Sequence, residues 1–193
     1  MRCESGPVED PQAGLHPERK RLAAIRSPQA DKNGYKCWIR MLRISQSDYD
    51  LICWEAERSY PRECCGILLG RMTNGDRTVT LTLPCDNVRE NPETRYSIRP
   101  EQVVAASKLA RSRGEDIIGF YHSHPDHPPH YSETDLLEAY WFDCSYVITS
   151  VQQGNATMTK SFALQGSEDR KEFEQEEMEI LGSVRFIPHC RDL

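Results

Sequence analysis

The sequence predicts a domain of the α/β (α+β) class, a mixed central β-sheet flanked by helices. Three observations support this. Helical and strand-like stretches interleave beyond residue 40, an Asn-Gly pair joins two of the strands as a hairpin, and the stretches are short enough to pack in layers around one core. The chain has 193 residues, enough for one domain with a real core.

Residues 1–40 stand apart. They hold Pro7, Pro11, Pro17 and Pro28, lack a sustained period, and carry 8 basic against 5 acidic residues, which predicts a disordered or loosely attached arm. A start at Met41 is equally compatible with the pattern, leaving residues 41–193 as the domain proper. Ser47–Arg58 reads as a first helix, with Leu51, Trp54 and Arg58 at helical spacing, Ser47 as N-cap and Pro61 past its end. Cys65–Gly70 is an apolar strand, and Thr73-Asn74-Gly75-Asp76 predicts a tight turn into Thr78–Leu83, whose alternation gives one buried and one wetter face. Arg95–Ile98 reads as another strand. Pro100–Arg113 reads as a second helix with Val103, Val104, Leu109 and Ala110 inward and Gly114 at its stop. Asp116–His124 is a strand running into a proline-rich loop. A third helix begins near Ser132 with Leu136, Leu137 and Tyr140 inward, strands follow at Cys144–Val151 and Ala156–Leu164, and Glu168–Glu179 leans towards a strand.

Composition narrows the function classes. With 24 Lys plus Arg against 30 Asp plus Glu, the net charge is −6, which argues against nucleic acid as a bulk electrostatic partner. No apolar run approaches the roughly 20 residues that cross a bilayer, and Glu4, Glu9 and Asp10 stand where a secretory leader would be basic then apolar, so a soluble, cytoplasmic chain is expected. Eight cysteines occur without a compact framework or any C-x-x-C, which predicts reduced thiols, with one of Cys64 and Cys65 buried and the other facing its neighbours. Trp54, Trp141 and Phe142 are expected in the core or an interface. Arg89, Arg95, Arg99, Arg111 and Arg113 are expected on the surface.

The segment His122-Ser123-His124, followed by Ser132 and Asp135, carries the chemistry. Residues two apart on a strand share a face, so His122 and His124 can present both imidazoles to one point, and Asp135, one turn into the next helix, can complete a three-ligand metal site. Three N/O ligands leave a position open for the water whose pKa the ion lowers. Ser132-x-x-Asp135 is also a capping pattern, compatible with metal binding. His127 and His130 are expected to be solvated loop residues, not ligands.

Read together with Pro61-Arg62-Glu63-Cys64-Cys65-Gly66, the pattern of Glu63, His122, His124, Ser132 and Asp135 resembles the JAMM, or MPN+, zinc metalloproteases over about Met41–Ile180, in particular their small stand-alone prokaryotic type. The resemblance implies the MPN/JAB, cytidine-deaminase-like architecture and one Zn2+ per chain held by His122, His124 and Asp135. It implies Glu63 as the group that takes a proton from water and returns it to the leaving amine, and Ser132 as donor to the oxyanion. It further implies a hydrolase cutting an amide bond at the C-terminus of a ubiquitin-like sulfur carrier, releasing an amino acid or an extension after Gly-Gly, with a homodimer left open and neither membrane nor nucleic acid as partner. A deubiquitinase-like isopeptidase acting on other tagged proteins is the alternative, as is a non-catalytic MPN scaffold. Scaffold relatives lose one or more of the five residues, and this chain keeps all five.

Overall fold

The computed structural model describes residues 29–30, 36–37 and 40–182. The predicted N-terminal arm lies almost wholly outside the described residues. Within it, β1 (Gln29–Ala30) and β2 (Lys36–Cys37) form a short antiparallel pair.

From Met41 onward the elements are β3 (Met41–Ser45), α1 (Gln46–Ser59), β4 (Cys65–Thr73), β5 (Asp76–Cys85), α2 (Pro100–Ser112), β6 (Asp116–Pro125), α3 (Glu133–Glu138), β7 (Ser145–Gln152), β8 (Asn155–Ser167) and β9 (Arg170–Leu181). The strands form one mixed sheet in the order β3-β5-β4-β6-β7-β8-β9, closed by β3, which pairs parallel with both β5 and β9. β6 and β7 are also parallel, and the remaining pairs are antiparallel. The predicted mixed sheet with helices is therefore present, and the leaning of Glu168–Glu179 towards a strand is met by β9.

Alternation along the strands divides the core in two. Leu68, Tyr121, Val147 and Val151 pack with Leu42 and Ile44 of β3 against Ile52 and Ala56 of α1. Ile67, Leu69, Phe120, Tyr146, Ile148, Phe162 and Leu164 pack on the other face with Ala106 and Ala110 of α2 and, partly buried, Leu136 of α3. Because 120, 122 and 124 share a strand face, His122 and His124 project to the side of α2 and α3.

The Asn74-Gly75 turn forms as predicted: Thr73 pairs with Asp76, and both central residues have positive φ, 54° and 87°, where glycine costs nothing. Other expectations are corrected. Helix α1 is capped two residues earlier, by Ser45, whose Oγ accepts from Asp48 N at 3.1 Å, so Ser47 lies inside the first turn. On β5 the alternation does not keep one face: the register with β4 shifts between Leu69 and Gly70, so Val79 joins the α1 core while Leu81 and Leu83 pack on the other. Arg95–Ile98 is not a strand. It is held by the Asn87 side chain, which accepts from Ser97 N and donates to Arg95 O.

The inward face of α2 is Val103, Ala106 and Ala110, while Val104 and Leu109 are exposed. Small residues allow close approach to the sheet, so size was a poor guide to burial. Helix α3 stops at Glu138, leaving Leu137 and Tyr140 exposed. Cys64 and Cys65 are both buried because the strand enters between the two cores, and Cys53, Cys64, Cys65, Cys85 and Cys144 are free thiols. Trp54 and Trp141 are half-exposed rather than core residues, with the Arg58 guanidinium 4.9 Å over the Trp54 ring. Among the described residues no helix is long and apolar enough to cross a membrane.

Candidate metal centre

Strand β6 sits between β4 and β7, with Cys65 and Ile148 as the partners of His122 in register, so His122 stands on backbone fixed from two sides, while His124 is paired with Ser150 of β7. Their Nε2 atoms lie 3.0 Å apart, and both rings are buried. Asp135 reaches them from the first turn of α3, with Oδ1 3.4 Å from His122 Nε2 and Oδ2 3.4 Å from His124 Nε2. One ligand atom from each residue lies within 4.8 Å of the other two.

A capping box aims Asp135. The Ser132 Oγ accepts from Asp135 N at 3.1 Å, while Asp135 Oδ2 accepts from both Ser132 N and Ser132 Oγ at 2.7 Å. The hydroxyl of Ser132 is thus itself the cap, and its proton is directed at the carboxylate that faces the histidines. Capping and ligand placement are one structure.

The donor chemistry fits a divalent transition metal. His124 Nδ1 lies 3.2 Å from Pro128 O, and since a carbonyl can only accept, Nδ1 carries the proton and leaves Nε2 with a lone pair facing its neighbours. Two imidazole nitrogens and a carboxylate converging in this way call for positive charge. Their proton affinities agree. Burial alone would push His124 down, but the hydrogen bond and charge of Asp135 raise it above its ordinary value. Burial holds His122 below its ordinary value against the pull of Asp135. Burial would raise Asp135, yet its hydrogen bonds to both histidines hold it well below the carboxylate range.

Glu63 lies just before β4 rather than within it. It is buried, and burial pushes its carboxyl up to about 8, with His124 opposing and Asp135 adding to the rise. Its Oε2 has no hydrogen-bond partner among the described residues. Glu63, His124 and Ser132 line one cleft of about 420 Å3 together with Thr94, His127, Pro128, His130 and Tyr131. His127 and His130 are exposed on this cleft. A second cavity of about 200 Å3 adjoins Asp135 on the other side, walled by Tyr96, Phe120, Trp141 and Tyr146 among others.

Two residues of this site had no sequence signal that singled them out. Tyr96 stacks on the His122 ring, and Asn87 donates to the backbone carbonyl of Glu63 at 3.0 Å.

A family model described as prokaryotic homologs of the JAB domain matches residues 45–165, which contain Glu63, His122, His124, Ser132 and Asp135. The chain belongs to this family. As a prokaryotic JAB-domain protein it is 41% identical over 90 residues to a desampylase of Haloferax volcanii, covering 47% of this chain and 63% of that one. It is 34% identical over 84 residues to a probable TtuB-protein conjugate cleaving protease of Thermus thermophilus, covering 44% and 53% respectively. The chain spans less than two thirds of the length of these curated relatives. The solution structure of a protein from Desulfitobacterium hafniense superposes with a TM-score of 0.64 at 27% identity, over 75% of this chain and 96% of the other. That similarity agrees with the JAB-domain architecture.

Proposed function

We propose that this JAB-domain protein is a zinc-dependent hydrolase that cuts an amide bond at the C-terminus of a ubiquitin-like protein. The observation that carries the reading is the convergence of His122, His124 and Asp135 within 4.8 Å beside the cleft that Glu63 and Ser132 also line. His122, His124 and Asp135 would hold the ion. A divalent ion held there supplies Lewis-acid polarisation of a carbonyl and lowers the pKa of water.

The chain's own groups do the rest. Glu63 takes a proton from water and carries it to the departing amine nitrogen. Its carboxyl is buried on the same cleft as His124, and its Oε2, which has no hydrogen-bond partner among the described residues, is free to exchange a proton. The Ser132 hydroxyl turns from Asp135 to the carbonyl oxygen as that oxygen gains charge, a contact worth roughly 10²-fold or more in rate. Three protein ligands favour an open, catalytic ion over a closed structural one, and retention of all five residues favours an enzyme over a scaffold.

The substrate in this reading is a sulfur-carrier-like protein ending in Gly-Gly, from which the enzyme releases an attached amino acid or a C-terminal extension. The name of the Thermus thermophilus relative supports protein conjugates as a second substrate form. Mass spectrometry of zinc-loaded protein incubated with a Gly-Gly carrier bearing one extra residue, and with the same carrier joined to a lysine side chain, separates the two. We expect product ending in Gly-Gly from the first. Cleavage of the isopeptide alone assigns the enzyme to conjugates, and cleavage of neither overturns the reading.

A further inference from the structure

The two imidazoles are oriented by different means. His124 has its second nitrogen tied to Pro128 O, the usual way in which a ligand histidine is held in plane. His122 has no such tie: its Nδ1 is buried without a partner among the described residues. What lies against it instead is the ring of Tyr96, with centroids 4.5 Å apart and planes inclined by 23°. An aromatic ring at this distance and angle restricts rotation about the imidazole's last side-chain bond, because turning the ring out of parallel would drive its edge into the tyrosine face.

Tyr96 sits in an irregular stretch, so something other than a strand ladder must hold it. That is Asn87. Its amide nitrogen donates to Glu63 O at 3.0 Å and to Arg95 O at 2.9 Å, and its Oδ1 accepts from Arg89 N at 3.1 Å and Ser97 N at 3.2 Å, so its full hydrogen-bonding capacity is used. Glu63 N in turn donates to Pro92 O at 2.6 Å. The loop between β5 and α2 is thereby fastened to the backbone of Glu63 at one point and laid on His122 at another.

We propose that Tyr96 is a positioning residue for His122, fixing the plane of an imidazole whose Nδ1 has no hydrogen-bond partner among the described residues, and that Asn87 holds Tyr96 in place. This rests on the reading of His122 as a metal ligand. The stacking needs the ring and not the hydroxyl, so phenylalanine serves and leucine does not.

The test compares wild type, Tyr96→Phe and Tyr96→Leu by Zn2+ affinity, measured against a chromophoric chelator, and by the proton spectrum of the metal-free proteins. We expect Tyr96→Leu to weaken Zn2+ binding by about 10- to 100-fold and Tyr96→Phe to restore it. In the metal-free proteins, the His122 ring protons should be shifted upfield in wild type and Tyr96→Phe but not in Tyr96→Leu. Should Tyr96→Leu fail to fold, Asn87→Asp, which removes both amide donors at constant size, is expected to weaken Zn2+ binding and reduce the upfield shift. Unchanged Zn2+ affinity in the folded leucine variant, or in Asn87→Asp if it takes its place, overturns the proposal while leaving the proposed function standing. Failure of Tyr96→Phe to restore affinity overturns it too. A wild type that binds no Zn2+ defeats the ligand assignment itself, a different result.

Discussion

Ser132 and Asp135 exchange three hydrogen bonds across one helical turn, and this reciprocal box brings the Asp135 carboxylate to 3.4 Å from each imidazole. The same serine is the proposed donor to the oxyanion. Ser132→Ala is therefore expected to cost about 1 kcal/mol in stability from the lost cap, seen as a lower urea midpoint, together with roughly 10²-fold in turnover. Ser132→Thr, which keeps the hydroxyl, should retain most of the stability.

Glu63→Gln separates binding from chemistry. The amide fills the space of the carboxyl but cannot take a proton, so zinc content by elemental analysis should match wild type while turnover falls by about 10²- to 10⁴-fold. Undiminished cleavage would remove Glu63 from the mechanism.

The same carboxyl makes the stability of the metal-free protein depend on pH. Its folded pKa, about 8, is raised above the ordinary 4.5, so the folded state holds the proton more tightly. The corresponding stability is present below about 4.5 and is lost as pH rises towards 8, at up to ~1.4 kcal/mol per unit. Asp135 acts oppositely: lowered in the fold, it contributes above its ordinary pKa of 3.8 and loses that contribution as pH falls. His122, also lowered in the fold, opposes the decline below its ordinary 6.5. Denaturation of metal-free protein should therefore show its clearest decline in stability from pH 6.5 to 8, shallower in Glu63→Gln. Because His124 is raised by Asp135, part of the slope should survive in that variant.

Inside the closed sheet, Arg77 pairs with Glu176 at 3.0 Å, both side chains only 1% exposed, while Arg77 Nε donates to Asp143 O and Ser161 Oγ to Glu176. Breaking such a pair leaves a buried charge unpaired. Arg77→Met alone should destabilise by about 3–5 kcal/mol in chemical denaturation, and adding Glu176→Leu should recover much of the loss.

Much of the site was legible because its chemistry is local. His122 and His124 share a face by strand alternation, and Asp135 follows Ser132 at capping distance; short-range geometry of that kind is written in spacing. The Asn74-Gly75 turn was legible for the same reason. What escaped depends on partners distant in sequence. The irregular path of Arg95–Ile98 comes from the amide of Asn87, the change of face on β5 comes from a register shift against β4, and the burial of Ala106 in place of Val104 and Leu109 comes from how closely α2 approaches the sheet. Tyr96 lies far from His122 along the chain, and its contact depends on that irregular path.

The account turns on His122 and His124 sharing one ion with Asp135. Elemental analysis of the purified chain beside the variant carrying both His122→Ala and His124→Ala tests this most directly. About one zinc per chain in the first and nearly none in the second is the predicted result. Full zinc in the folded double variant would contradict it, placing the ion elsewhere in the protein.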